Sequence, residues 1–204
     1  MSPTRKRFSL KLLGGCRLEG PEGPVGGRAA QRRRLAVLAL VAAAGPAGVT
    51  RDRVVAMLWP ESGTEPARHL LADTLYVLRS ALGEGAVVTA GDRLAVNADV
   101  VDCDVLAFDA AVGRRDHAAA VALYAGSFLD GFHVGGAPDF ARWADGERDR
   151  LHLAYATALE SLAADAGRSG DAPGAAGLWR RAAATRPYDS RVARELAEAL
   201  DAAE

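Results

Sequence analysis

The clearest periodic signal in the chain lies between Gly63 and Gly83, where Ala67, Leu71, Leu75, Leu78 and Leu82 recur at helical steps. Spacings of three and four put all of them on one side of an α-helix. Arg68 and Arg79 flank that side, and His69, Asp73, Tyr76 and Ser80 fall opposite it. Thr64 offers an N-cap oxygen, and Pro66 suits a first turn whose N–H groups lack helical partners. Gly83 accepts the left-handed conformation that ends helices. The pattern predicts a helix over Thr64–Leu82, apolar on one face and polar on the other.

Upstream, Arg7–Leu13 alternates, with Phe8, Leu10 and Leu12 on one side and Ser9 and Lys11 on the other, which predicts a half-buried strand. Gly14-Gly15 turns the chain, Cys16–Glu19 pairs back, and GPEGPVGG is expected to end strand structure, leaving a small antiparallel sheet. Gln31–Ala44 is rich in helix formers, apolar on nearly every side after Leu35, and closed by Gly45-Pro46, so a core helix is expected. Thr50 caps a short helix, Arg51–Trp59, stopped by Pro60. Ala86–Thr89 and Arg93–Val96, separated by Ala90-Gly91-Asp92, read as a hairpin. Strands, three helices and a hairpin, in that order, describe a winged helix-turn-helix over residues 1–98.

Beyond Asn97 the pattern becomes helical and Ala-rich. Helices are expected over Asp104–Val112, Asp116–Tyr124, Asp139–Ala166, Ala175–Arg186 and from Ser190 onward, with an aromatic loop, SFLDGFHVGGAP, between the second and third. Leu159, Leu162, Ala163, Ala175, Trp179, Ala182 and Pro187 carry the spacing of the tetratricopeptide repeat, echoed by Ala120 and Tyr124 and restarted by Leu196 and Ala197. The expected architecture is therefore mainly α with small β elements, a winged helix followed by an all-α, tetratricopeptide-like domain over residues 99–204. Val192, Leu196 and Leu200 form an apolar stripe with no following helix, which points to a fragment or to a partner that completes the stack.

Charge sharpens the division. The net charge of −1 conceals +5 over residues 1–100, from 14 Lys/Arg and 9 Asp/Glu, against −6 over the remainder. Residues 1–34 alone carry 9 basic and 2 acidic side chains, beginning with Arg5, Lys6 and Arg7. Such asymmetry fits nucleic-acid contact by the basic half, and equally a basic face that is merely solvated. Arg32, Arg33 and Arg34 stand at a helix start, where the backbone dipole disfavours cations. Either an anionic partner such as phosphate offsets that cost, or the three are solvated.

Other chemistry is missing from the pattern. No phosphate-cradling glycine loop, GxSxG elbow or HExxH occurs, and His69, His117, His133 and His152 have no second ligand at metal spacing. Asp145, Glu147, Asp149 and Glu160 are expected along a solvated helix side. No catalytic residue, cofactor or metal site is expected. Cys16 and Cys103, two thiols far apart, point to a reducing compartment, and no apolar run approaches the roughly 20 residues of a membrane span, so a cytoplasmic protein without membrane contact is expected.

The segments RFSLKLLGGCRLEG, QRRRLAVLALVAAAG, TRDRVVAMLWPE, ARHLLADTLYVLRSALG, DVLAFDAAV and ALYAGSFLDGF resemble the SARP-type transcriptional activators, whose second part is the bacterial transcriptional activation domain. The resemblance implies binding to double-stranded promoter DNA, usually at direct repeats that suit a homodimer, and engagement of RNA polymerase subunits. It casts Thr64–Leu82 as the recognition helix, with His69, Asp73, Tyr76 and Ser80 facing bases. Phosphate contacts fall to Arg32, Arg33, Arg34, Arg51, Arg53, Arg68, Arg79 and Arg93. Family members commonly carry basic residues where this chain has Val77 and Ser80, and Asp73 adds a negative charge to the polar face. Those departures motivate a second reading, a protein-interaction scaffold whose winged helix no longer binds DNA.

Overall fold

The computed structural model describes residues 8–204; Arg5, Lys6 and Arg7, with the expected start of the first strand, lie outside the described residues. Two compact units emerge, one comprising residues up to Ala107 together with Gly126–Glu147, the other Phe108–Ala125 with Arg148–Glu204. The change of sequence character at residues 98 and 99 is thus not where the compact units divide.

The first unit begins with β1 (Phe8–Lys11), β2 (Arg17–Gly20) and β3 (Gly23–Pro24), paired antiparallel in turn. The Gly-Pro-rich stretch therefore does not end strand structure at once; it contributes the two residues of β3. A further strand, β7 (Val101–Cys103), lies parallel to β1 with Leu10 opposite Cys103, giving the order β3-β2-β1-β7. The sheet is consequently mixed rather than purely antiparallel.

Helix α1 (Arg32–Ala43) is buried from Leu35 through Ala42, as its uninterrupted apolar sequence requires. A short 3-10 turn, Gly45–Ala47, leads to β4 (Val49–Thr50) and α2 (Arg51–Leu58), where the Thr50 hydroxyl accepts from the Arg53 N–H at 3.3 Å. Helix α3 (Thr64–Leu82) buries Ala67, Leu71, Thr74, Leu75, Val77, Leu78 and Leu82. Each large apolar side chain so buried contributes about 1.5–3 kcal/mol. Gly63, rather than Thr64, is the N-cap residue, and no side-chain oxygen caps the helix. Gly83, at φ 97°, ends it by donating its N–H to the Arg79 carbonyl at 2.8 Å. Strands β5 (Val87–Ala90) and β6 (Arg93–Val96) form the expected hairpin, Gly91 turning at φ 61°. β4 joins β6 from the other side, so the small sheet runs β4-β6-β5. Three helices with this sheet make a winged helix-turn-helix.

The second unit takes in α4 (Asp104–Gly113) from Phe108 onward, α5 (His117–Leu123) and, of the helix Pro138–Arg168, the part from Arg148 onward; Asp116 caps α5 through the Ala119 N–H. The chain then follows α6 (Pro138–Arg168), α7 (Ala172–Thr185) and α8 (Ser190–Asp201). Asp171 starts α7 three residues before the position expected from sequence, accepting from the Gly174 N–H. Tyr124 stacks on Tyr155 at 4.2 Å, and Arg150 meets Asp109 through two hydrogen bonds of 2.8 and 3.0 Å. Leu159, Ala163, Ala175, Trp179 and Ala182 are all buried, so the small and large positions of the repeat interlock. Glu160 departs from expectation. It is not solvated but bridges Arg186 at 3.1 Å and Arg191 at 2.7 Å, joining the body of α6 to the end of α7 and the start of α8. Val192 of α8 is fully buried, and Leu196 and Leu200 are half-buried.

Candidate nucleic-acid interface

Because the apolar positions of α3 are spent on the core, its polar positions stand outward as a single stripe. His69, Asp73, Tyr76 and Ser80 are all exposed, Tyr76 to 70%. Their spacing of four, three and four keeps them one above another along the helix. Asp73 has no hydrogen bond or ion pair among the described residues. Val77, where the resemblance to the SARP-type activators implies a basic residue, is only 8% exposed and belongs to the core. The departure at position 77 therefore removes nothing from the outward surface.

Arg68 and Arg79 lie about three turns apart on one flank of the stripe. Their surroundings differ. Arg68 is clamped by Asp52 of α2 at 3.3 Å and by Glu65 at 3.2 Å. The hydrogen bond that the guanidinium donates to Asp52, with the charges of Asp52 and Glu65, holds it protonated even more firmly than usual. Arg79 reaches the wing instead, donating to the Val87 carbonyl at 3.2 Å and the Thr89 hydroxyl at 2.9 Å. Arg51, the first residue of α2, also reaches Thr89, at 3.5 Å. The start of α2, the last turn of α3 and the outer wing strand thus share one hydroxyl and present two cations there. Thr89 and Asp52 carry no signal in the sequence, because neither a lone threonine in a strand nor a lone carboxylate at a helix start shows which arginine will reach it.

Arg93 opens β6 beside the Gly91-Asp92 turn and folds back, donating to the Ala47 and Gly48 carbonyls at 3.3 and 3.0 Å. Arg53 is exposed, and its guanidinium has no partner among the described residues.

Arg32, Arg33 and Arg34 all have partners within the protein. Arg32 donates to the His133 carbonyl at 3.2 Å and lies 5.9 Å from the Phe132 ring centroid. Arg33 donates to the Gly135 carbonyl at 2.8 Å and sits 5.8 Å from the Trp59 ring centroid. Arg34 donates to the Arg28 carbonyl at 2.7 Å and to the Gln31 side chain. Backbone carbonyls and ring faces within the protein offset part of the cost of three cations at the start of α1. In doing so they fasten the aromatic loop to the first unit. Phe128 of that loop is fully buried and bridges Leu13 and Gly15, and the Leu129 N–H donates to the Leu12 carbonyl at 2.8 Å.

Comparison with known proteins adds the family. A family model described as the bacterial transcriptional activator domain matches residues 104–204. A winged helix joined to this activator domain is the make-up of the SARP-type transcriptional activators, a family of regulators and not of enzymes. The fold is similar to that of EmbR from Mycobacterium tuberculosis, solved in complex with a low-affinity phosphopeptide, with a TM-score of 0.70 at 20% sequence identity. That similarity covers 98% of this chain and 56% of the EmbR chain, so this chain spans little more than half of that protein's length. Among curated proteins none matches. No helix among the described residues is long and apolar enough to cross a membrane.

Proposed function

We propose that this SARP-type chain is a cytoplasmic, sequence-specific DNA-binding transcriptional activator that lays α3 in the major groove of promoter DNA. One observation carries the reading: a helix fully committed to the core on one side exposes His69, Asp73, Tyr76 and Ser80 in register on the other. The major groove admits an α-helix and distinguishes all four base pairs by their donors, acceptors and methyl groups. Asp73 suits the amino group of cytosine, and Ser80 and His69 suit either donors or acceptors. Arg51, Arg53, Arg68, Arg79 and Arg93 hold the backbone phosphates, which positions the stripe without specifying sequence. The winged helix of residues 1–98 does the reading, and the helical domain of residues 99–204 engages RNA polymerase subunits. Pairing of two copies on direct repeats supplies affinity that a single copy lacks.

Selection of bound sequences from random double-stranded DNA at about 50 mM salt tests this, since phosphate contacts hold best at low salt. A single motif should emerge. Asp73→Ala and Tyr76→Ala should each relax one base position at a cost of about 1–3 kcal/mol, without lowering the melting temperature. Failure to enrich any sequence would sink the proposal.

Two observations favour the scaffold reading. Arg68 is already paired with two carboxylates, and Asp73 leaves a negative charge at the middle of the stripe. A stable protein partner recovered on a chain that gives no DNA shift would decide for it.

A further inference from the structure

We propose that a cavity beside the wing binds a small oxyanion carrying a flat apolar body, and that this ligand competes with DNA for Arg53 and Arg93. The first half stands on the cavity alone; the second rests on the DNA-binding function proposed above.

The cavity has a volume of about 360 Å³ and lies wholly within the first unit. Its walls are the last turn of α1, the Gly48–Thr50 segment, Arg53, Arg93 and Trp143. That volume is in the range of small-molecule sites, roughly 300–1,000 Å³. Two guanidinium groups line one cavity, and neither is neutralised there by a hydrogen-bonded carboxylate. Arg53 is without a partner among the described residues, while Arg93 commits only Nη1, to the Ala47 and Gly48 carbonyls. Those two bonds fix the Arg93 plane and leave Nε and Nη2 as donors. A fork of this kind matches the paired oxygens of a carboxylate or phosphate ester. The Thr50 hydroxyl accepts from the Arg53 N–H, so its own proton remains to donate.

The lining also holds an aromatic ring, that of Trp143. Trp143 is held edge-on by Phe128, with ring centroids 5.7 Å apart at 85°, and leans on Phe140 at 5.4 Å. An indole fixed by two neighbours offers a preformed surface to a flat apolar group. Glu147 also lines the cavity and is engaged within the protein; its charge opposes a second anionic group on the ligand. Gly48 keeps the floor open. At φ 65° it already disfavours any side chain, and a Cβ there would stand 2.6 Å from the Leu94 carbonyl oxygen.

Isothermal titration of the full chain without DNA tests the cavity, with phenyl phosphate and inorganic phosphate as probes. Phenyl phosphate should bind at least tenfold more tightly than inorganic phosphate and shift the Trp143 indole N–H signal in the NMR spectrum. Arg53→Gln and Arg93→Gln should each weaken it about tenfold; Arg53→Gln removes no side-chain hydrogen bond or ion pair among the described residues, so it supplies a folded variant for the comparison. Equal affinity for the two phosphates, or binding indifferent to Arg53→Gln, would overturn the site. A second titration adds phenyl phosphate to the protein bound to its selected DNA, at matched ionic strength. Release of DNA supports competition, and retained DNA with a filled cavity refutes that half. If no DNA is ever bound, the direct titration still decides the cavity, so the two failures are distinguishable.

Discussion

Asp104 sits where the first helix of the activator domain begins, and it fastens that start to the N-terminal sheet. Its carboxylate accepts from the Leu12 N–H at 2.9 and 3.0 Å, from Leu13 at 3.1 Å and from Val105 at 2.8 Å. Burial, at 6% exposure, pushes its pKa above the ordinary 3.8, and the three donors oppose that shift without cancelling it. Asp104→Ala strands three buried N–H groups, so a loss of about 2–4 kcal/mol is expected from urea denaturation. The pH dependence has a definite sign. A raised native value means that the folded protein binds the proton more tightly than the unfolded chain. The contribution of Asp104 is then greatest below 3.8 and declines as pH rises through the raised value. The penalty for Asp104→Ala should accordingly be larger in acid than at neutral pH, and a penalty that grows with pH would contradict this account. Nothing in the sequence reveals the role, since Asp104 reads as an ordinary first-turn residue of a helix. Its partners lie about ninety positions earlier. The same distance hides the partners of Arg32 and Arg33, whose carbonyl acceptors belong to His133 and Gly135.

At the scale of elements, what was legible is what has a local period. The three helices of the winged helix, the β5–β6 hairpin and the polar stripe of α3 all follow from spacing and capping residues within short windows. Strand β7 does not, because three residues paired in parallel with β1 carry no local signature. The aromatic loop is likewise opaque, for Phe128 is buried by a sheet edge far away in sequence. Val77 shows the converse limit: a family position reads as a surface contact until the helix is packed and the side chain turns inward. Gly48 is the joint on which the winged helix depends, between the 3-10 turn and β4. Its positive φ and the 2.6 Å approach of a would-be Cβ to the Leu94 carbonyl oxygen admit no side chain without moving β6. Gly48→Ala should cost about 2–3 kcal/mol or more, combining conformational strain with a backbone clash. Gly91→Ala is the control, since it shares the positive φ but has open space around it. It should cost about 1 kcal/mol. Thermal melts of the pair separate strain from clash, and equal losses would show that the contact with Leu94 is relieved cheaply.

For the whole molecule, net charge says little and the disposition of charge says more. Among the described residues, arginines of the first hundred positions stand in two distinct sets. Arg32 and Arg33 are turned inward onto the aromatic loop, whereas Arg51, Arg53, Arg79 and Arg93 gather around the start of α2, the end of α3 and the wing. Arg68, already neutralised by Asp52 and Glu65, releases no counterion of its own, so if the second set alone adds to the salt dependence, four contacts per copy give a slope of log affinity against log salt near −3.6, from about −0.9 per neutralised phosphate. A fourfold rise in salt would then weaken binding by roughly a hundredfold. Recruitment of Arg32, Arg33 and Arg34 as well would steepen the slope to about −6, a loss of several thousandfold over the same range. We expect the shallower slope on a single half-site, and about twice that value on a direct repeat occupied by two copies. Titration of selected DNA across salt, with single and repeated sites side by side, measures both. A steep slope on a single site would mean that the arginines at the start of α1 leave their carbonyl partners when DNA arrives, and that the loop they hold is released with them.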